Sequence, residues 1–325
     1  MIKLRTDLAL EARDMYSKNK PKDEMSGVKS KTENIDDILI TTVEILNEDA
    51  SEKLQKPIGK YITLESKKIK DSDPETSKKL SYIISDNIKK ILSVDKEKSV
   101  LIVGLGNWNI TPDALGPKVI SEIMVTKHLK EYMPEHIDNS LRSVSAFSPG
   151  VLGITGIETS DIIKGIAEKS SPSLIIAIDA LKSSSPDRIS TTIQITDTGI
   201  TPGSGIGNKR KGIDFDTLGI PVIAIGVPTV VDALTIASEV LDDLFLEIKN
   251  YSQGNIEFTN MIENLKSYSN EILSCSKENE IRKEMIVAPK EMDSMISHIS
   301  KIIANGINLA LHDGIDLDYI ETFTY

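Results

Sequence analysis

The sequence predicts an α/β protein in which a wound, mostly parallel sheet lies between two layers of helices. Three short apolar runs rich in β-branched residues are typical of buried parallel strands. They span residues 99–105, 174–180 and 221–227. The helical patterns that separate and follow them span residues 117–132, 158–169 and 230–250. This alternation of strand and helix predicts a three-layer α/β/α architecture.

The remaining patterns predict additions on both sides of a core at residues 95–250. Residues 15–34 are polar and predict an exposed loop, and residues 251–284 predict a surface excursion. Further strands are expected at 36–46, 58–65 and 189–195, and further helices at 74–93 and 289–311. We therefore expect one domain over residues 8–325, with a smaller β-containing N-terminal subdomain at 8–94 and a C-terminal helical region at 285–325.

The composition excludes several classes of protein. The 325 residues carry a formal net charge of −11, whereas a dedicated nucleic-acid binder normally has a basic face. A single cysteine, Cys275, cannot form an intrachain disulfide, which is typical of the reducing cytoplasm. The charged N-terminus lacks the apolar stretch of a secretory signal, and no run of about 18 apolar residues is present to span a membrane. We expect a cytoplasmic protein with no nucleic-acid or membrane partner.

The first candidate for chemistry is the long turn Gly104–Pro117, which follows a buried strand. Ligands of open α/β sheets lie outside the carboxyl ends of strands, so this turn is well placed. Gly104 and Gly106 leave a nucleotide-binding interpretation open, although Asn109 occupies the third glycine position of the dinucleotide fingerprint. The turn also contains Asp113 at a helix start, where two roles are open: a functional carboxylate or a helix cap.

A second carboxylate, Asp179, ends the aliphatic run 174–178. An unpaired buried acid is costly, so it needs a partner or a proton. Parallel strands bring their carboxyl ends to one edge of a sheet, and we therefore expect Asp113 and Asp179 to meet. One acid of such a pair keeps a proton while the other stays charged, which can activate water against an amide carbonyl. A helix cap and a strand-end hydrogen bond remain the alternative.

The loop Thr198–Gly212 is dense in glycine and contains a basic triplet. It is not a P-loop, because Asn208 follows Gly207 where that motif requires lysine. Glycines allow a backbone to approach a ligand closely, and basic side chains attract acidic groups. We expect a ligand-binding loop here, with a solvated surface loop as the alternative. The candidate residues are Gly203, Gly205, Asn208, Lys209 and Arg210.

Metal ligands and nucleophiles are not indicated by the remaining residues. The four histidines lack metal-ligand spacing; they are His128, His136, His298 and His312. Ser148 and Ser204 lack the nucleophile-elbow motif, and Cys275 has no nearby histidine. We therefore expect a site without a metal or another cofactor.

Taken together, several motifs resemble the germination protease family of spore-forming bacteria. The segments that carry the resemblance are Arg5–Ala12, Gly104–Asn107, Thr111–Pro117, Pro149–Thr159, Ala177–Leu181, Gly203–Lys211, Gly219–Gly226 and Ile307–His312. They occur in order along nearly the whole chain.

The resemblance implies an endopeptidase that begins the degradation of small acid-soluble spore proteins during germination, in the forespore or spore core. It implies an atypical aspartic-type protease whose two essential aspartates are Asp113 and Asp179. It also implies a phosphorylase/hydrolase-like α/β/α fold similar to that of the hydrogenase maturation proteases, and a homotetramer. The third metal-binding histidine of those relatives has no equivalent here, which agrees with a metal-free site.

The resemblance further implies a zymogen that removes its own N-terminus. Family substrates are cut after an acidic residue that is followed by an apolar residue, Ala and a further Glu, and Thr6–Glu11 has this order. We therefore expect a cut between Asp7 and Leu8, so that residues 1–7 form a propeptide and the chain that carries them is the zymogen. Mild acidification is expected to promote the cut.

The mechanism expected from these residues is attack of water on the scissile carbonyl. One aspartate takes a proton from the water and the other gives one to the oxyanion or the leaving amine; the sequence leaves open which does which. Lys209 or Arg210 is expected to bind acidic side chains of the substrate. Two other functions stay open: a metal-dependent maturation-type protease, and a non-proteolytic protein that binds nucleotides at Gly104–Gly106.

Overall fold

A single sheet organises the chain in this computed structural model, which describes residues 6–18, 25–92, 95, 97–138, 140–203, 210–251, 256–275 and 285–323. Its strands are β1 (Val28–Ile35), β2 (Ile38–Ile45), β3 (Gly59–Glu65), β4 (Val100–Gly104), β5 (Val144–Phe147), β6 (Leu174–Ser183), β7 (Thr192–Thr196), β8 (Val222–Asp232) and β9 (Ile286–Val287). The helices are α1 (Ala9–Lys18), α2 (Glu48–Leu54), α3 (Pro74–Ile91), α4 (Leu115–Ser121), α5 (Lys127–Tyr132), α6 (Leu152–Thr155), α7 (Thr159–Ser170), α8 (Phe215–Leu218), α9 (Ala233–Tyr251), α10 (Ile256–Cys275), α11 (Met292–Leu311) and α12 (Leu317–Phe323). Within these residues, no helix combines the length and apolar character needed to cross a membrane.

The strands lie in the order β1-β2-β3-β7-β8-β6-β4-β5, and β9 pairs with the carboxyl end of β8. Strands β8, β6, β4 and β5 are parallel, as predicted for the wound core. Strands β1, β2, β3 and β7 are antiparallel to their neighbours, and the pairing of β3 with β7 joins the two regions. The N-terminal strands therefore extend the main sheet.

Side chains alternate across the parallel strands and form a core on each face of the sheet. On one face, Ile102 and Ile176 belong to a buried cluster with side chains of α3, α4 and α11. On the other face, Leu101, Val103 and Ile175 pack with side chains of α7 and α8. Helices on both faces confirm the predicted α/β class.

The prediction of a loop throughout residues 15–34 is wrong at both ends, because residues 15–18 belong to α1 and residues 28–34 form most of the edge strand β1. Asp36 has a φ of +53° in the short turn that brings β1 alongside β2. Most of β1 is exposed, and Lys29 and Lys31 are among its exposed residues. Charged side chains on an edge strand discourage pairing with other chains, so the polar composition reflects an exposed edge.

The helix predicted at 117–132 is two helices, α4 and α5. Asn308 of α11 explains the break, because its side chain binds the intervening backbone on both sides. Its Nδ2 donates to the carbonyl of Glu122 (3.0 Å), and its Oδ1 accepts from the amide of Met124 (3.0 Å). A neighbouring helix thus supplies hydrogen bonds that a continuous helix would make internally.

Two further boundaries differ from the prediction. The helix expected from residue 230 begins at Ala233, because β8 continues through Val230 and Val231, which pair with β6. The excursion predicted at 251–284 includes the long helix α10, which packs beside α9. Ion pairs join the two helices, including one between Lys266 and Asp242 at 2.7 Å.

Candidate active site

The turn after β4 positions Asp113 at the carboxyl edge of the sheet. Gly106 in this turn has a φ of +109°, and a Cβ there would lie 2.0 Å from the Asp113 carbonyl oxygen, so only glycine fits. The amide of Asn107 donates to Oδ2 of Asp113 at 2.8 Å. Helix α4 begins after Ala114 without a side-chain cap, so the interpretation of Asp113 as a helix cap is wrong. Because the Asn107 amide already binds a carboxylate, the turn does not offer that donor to a phosphate.

Asp179 lies on β6 just beyond the point where β4 ends. The last residue pair between these strands joins Gly104 to Ile178, so the next residue of β6 faces an open edge. The prediction that Asp179 ends its strand is wrong, since β6 continues to Ser183 alongside β8. Asp179 is 7% exposed, and its Oδ1 accepts from the amide of Ala180 at 2.9 Å.

The two aspartates line one cavity of about 600 Å³. Burial raises the pKa of Asp179 well above its usual range, and the negative charges of Asp113 and Asp7 raise it further. Burial also raises the pKa of Asp113, while the hydrogen bond from Asn107 opposes the rise. The positive charge of Arg210 acts on both carboxyls in the opposite direction. Both carboxyls therefore hold a proton more readily than an exposed aspartate does, and Asp179 more so than Asp113.

Asp7, the residue before the predicted cut, lines the same cavity. The amide of Asp7 donates to the carbonyl of Lys182 at 3.0 Å, as in a short β-pairing with the end of β6. The amide of Lys182 donates in return to Oδ2 of Asp7 at 2.9 Å. The backbone and the acidic side chain of Asp7 are thus both bound by the backbone of Lys182, near the end of β6.

The carbonyl of Asp7 accepts two hydrogen bonds from side chains. Lys56 donates through Nζ at 2.9 Å, and Gln194 donates through Nε2 at 3.3 Å. The other amide atom of Gln194, Oε1, accepts from the amide of Ala9 at 2.8 Å. Gln194 therefore binds the backbone on both sides of Leu8.

Glu11 is bound in a separate polar site four residues after the predicted cut. It is 1% exposed, and its carboxylate accepts from Oγ of Ser183 at 2.7 Å and from the amide of Ser184 at 2.8 Å. Arg188 completes the site through Nη1 at 3.1 Å and also binds Glu65 through Nε at 2.9 Å. A buried carboxylate needs such partners, and with the hydroxyl of Thr6 this one has three neutral donors and one cation.

The residues between these two acids are buried. Leu8 and Ala9 are 0% exposed and Leu10 is 4% exposed. The amide of Leu8 donates to Oγ1 of Thr6 at 3.0 Å, and Thr6 in turn donates to Glu11. Residues 6–11 are therefore bound along their whole length: residues 6–8 precede α1, and residues 9–11 form its first turn.

The glycine-rich loop is brought to this cavity only in part. Gly203 and Arg210 line the cavity, whereas Gly205, Asn208 and Lys209 lie outside the described residues. The role expected of these three therefore stays a prediction. Near Arg210, Lys211 forms an exposed ion pair with Asp161 at 3.0 Å.

Sequence reasoning missed the side chains that bind the N-terminal segment: Lys56, Gln194 and Arg188. For Gln194 the sequence offers a partial signal, because it is the longest polar side chain of the alternating strand Thr192–Thr196; the structure shows that it is only 6% exposed. Lys56 and Arg188 lie in turns, where a basic residue is usually solvated, so their neighbours in sequence give no indication of their contacts.

Among the described residues, no group of three His, Cys, Asp or Glu side chains is arranged to hold a metal ion. His298 binds Oγ of Ser77 through Nε2 at 2.9 Å, and buried His312 accepts from the amide of Arg142 at 3.1 Å. These two histidines have structural contacts outside the cavity that contains the aspartates.

Comparison with known proteins gives consistent results. The family model of germination proteases matches residues 9–269 and 256–324. The germination protease of Clostridium perfringens (strain 13 / Type A) is 44% identical over 324 residues, covering 99% of both chains. That of Caldanaerobacter subterraneus subsp. tengcongensis is 47% identical over 317 residues, covering 96% of this chain and 95% of the relative.

A solved structure, the [NiFe] hydrogenase maturation protease HycI from Thermococcus kodakarensis KOD1, is 19% identical with a TM-score of 0.29, covering 44% of this chain and 80% of that one. The two full-length relatives and the family model are decisive: this chain belongs to the germination protease family of peptidases.

Proposed function

We propose that this peptidase begins the degradation of small acid-soluble spore proteins during germination, and that it is made as a zymogen cut between Asp7 and Leu8. The observation that carries the proposal is that Asp7, the residue before the proposed cut, lines the same cavity as Asp113 and Asp179 and is bound there by Lys56 and Lys182. Membership of the germination protease family supports the substrate class. The reaction belongs to the forespore and the spore core.

In the proposed mechanism, Asp113 is the base and Asp179 is the acid. The stronger burial of Asp179 supports this assignment, because burial favours the protonated form. Asp113 takes a proton from water while the water oxygen forms a bond to the Asp7 carbonyl carbon, whose π electrons move to oxygen. Collapse of this intermediate breaks the bond to the Leu8 nitrogen, which receives the proton of Asp179. The products are a carboxyl group on Asp7 and a free amino group on Leu8.

Spore-protein substrates would occupy the contacts now made by residues 6–11. An acidic residue before the cut would bind the amide of Lys182, and a Glu four residues later would bind Arg188. Arg210 and the loop Gly203–Gly212 are proposed to add charge attraction for these acidic peptides.

We also propose that the chain functions as a homotetramer. Helices α9 and α10 support self-association, because they expose apolar side chains that an isolated surface rarely presents together. These are Val240, Leu244, Leu246, Met261 and Leu265.

The test is intact-mass measurement and N-terminal sequencing of the full chain incubated at mildly acidic pH. Wild type is compared with Asp113→Asn and Asp179→Asn, with and without a chelator. We expect only wild type to lose residues 1–7, at a rate that the chelator does not change. Equal trimming of all three proteins would show that another protease makes the cut, and a chelator-sensitive cut would favour a metal-dependent reaction.

A further inference from the structure

We propose that Lys56 and Gln194 stabilise the negative charge that the carbonyl oxygen before the cut acquires during water attack. This inference rests on the proposed function. It assigns a catalytic role to two residues that lie on different elements from both aspartates, one after α2 and one on β7.

The backbone around Lys56 directs its side chain to the scissile carbonyl. Gln55 ends α2 in the left-handed conformation, with a φ of +54°. Ser51 binds the next residue at both backbone groups: its carbonyl accepts from the Lys56 amide at 3.2 Å, and its Oγ donates to the Lys56 carbonyl at 2.8 Å. These contacts fix the start of a long side chain whose Nζ reaches the Asp7 carbonyl oxygen at 2.9 Å.

Gln194 is oriented by a different set of contacts. It lies on β7 between β3 and β8, with Thr63 and Gly226 as its register partners. Because Oε1 of its amide accepts from the Ala9 amide, Nε2 must face the Asp7 carbonyl. The second donor is therefore held in place before any charge develops.

The charge on the lysine matters because the ground-state carbonyl is nearly neutral and the tetrahedral intermediate is an anion. A cation in a partly buried site binds the anion much more strongly than the carbonyl, which is the requirement for catalysis. The Nζ–O distance of 2.9 Å lies within the range for such donors. Burial lowers the pKa of the Lys56 ammonium, and the negative charges of Asp7 and Glu11 oppose this lowering.

This assignment separates the tasks of the two aspartates from the stabilisation of the oxyanion. Because two other donors bind the oxygen, the proton of Asp179 is available for the leaving nitrogen of Leu8. The alternative is that Lys56 and Gln194 only hold the segment in place, and an experiment has to distinguish the two roles.

The rate of self-cleavage of the full chain is measured by intact mass for Lys56→Met, Gln194→Glu and the control Lys60→Met. Lys60 is exposed and pairs with Glu44 at 3.1 Å, so its replacement should not change the rate. Gln194→Glu keeps the acceptor for Ala9 and loses the donor to Asp7. We expect each of the two site variants to be slower by about 10²–10³-fold, the usual effect of removing one oxyanion donor.

Hydrogen exchange distinguishes a catalytic role of Lys56 from a role that only holds the N-terminal segment in place. In an Asp179→Asn background, which stays uncut, the Ala9 amide is compared with and without Lys56→Met. Unchanged protection together with slow cleavage supports the inference, whereas lost protection shows a structural role and overturns it. Cleavage of Lys56→Met within threefold of wild type overturns it as well. Failure of wild type to cleave, or cleavage by Asp179→Asn, would instead overturn the proposed function.

Discussion

Replacement of Arg188 by methionine tests whether the Glu11 site holds the N-terminal segment in place. Methionine retains much of the apolar stem and removes the guanidinium that binds Glu11 and Glu65. Removing one partner of a buried ion pair costs about 3–5 kcal/mol. The Arg188 side chain is 24% exposed and Glu11 keeps three other donors, so we expect about 2–3 kcal/mol of lost stability.

Urea unfolding of the uncut Asp179→Asn protein, with and without Arg188→Met, measures this loss. The contribution of Glu11 is isolated by a double-mutant cycle with Glu11→Gln, because Glu65 loses its partner only when Arg188 is replaced. We expect a coupling energy of about 1.5 kcal/mol or more between positions 11 and 188. In a chain that carries only Arg188→Met, self-cleavage should be slower than in wild type, because the N-terminal segment is bound less tightly. A coupling near zero would refute the reasoning, since it would mean that Arg188 stabilises Glu65 alone.

Three further results are expected. Asp7→Asn removes a negative charge that raises the pKa of Asp179. The rate of self-cleavage, measured against pH, should therefore begin to fall at a lower pH in this variant than in wild type. The same pH–rate profile for both proteins would contradict this expectation. The pKa of Asp179 is higher in the folded protein than in the unfolded chain. The free energy of unfolding therefore falls as the pH rises from the unfolded-state pKa of Asp179 through its folded-state pKa. Asp179→Asn cannot lose a proton at this position. In urea titrations, the free energy of unfolding of this variant minus that of wild type should therefore increase from pH 4 toward neutral pH. A difference that does not change with pH would count against a raised pKa of Asp179. Leu246→Asp charges an exposed apolar position of α9, and if the proposed tetramer forms through that surface, the variant should sediment with a smaller mass than wild type. Equal sedimenting masses of the two proteins would count against an interface at this position.

The sequence predicts that the two aspartates lie near each other, because parallel strands bring their carboxyl ends to one edge of the sheet. An acid in the turn after β4 and an acid on β6 just beyond the end of β4 line the same cavity. The turn conformation could not be predicted in the same way: whether Asp113 caps a helix or binds the Asn107 amide depends on a few backbone angles.

The contacts that bind the N-terminal segment could not be predicted from sequence patterns, for a different reason. Lys56, Gln194 and Arg188 come from two turns and a strand that are far apart in the chain, and they meet only because the N-terminal strands join the core through β3 and β7. Separation along the sequence also explains why the break between α4 and α5 was not predicted, because Asn308 binds residues more than 180 positions earlier in the chain. Local propensity contains no information about such partners.

The complete burial of Leu8 has a consequence for the enzyme after its first turnover. In the proposed self-cleavage, hydrolysis converts an uncharged amide into an ammonium group at a residue that is 0% exposed. Such a charge would be stable there only beside the two acids, and otherwise its hydration in bulk solvent is favoured. The proposed cut would thus leave the new chain end bound in the site as an inhibitory product, and the next peptide could enter only once this end had moved out. The departure of this end, together with any movement of α1, would be a second activation step after the chemical one.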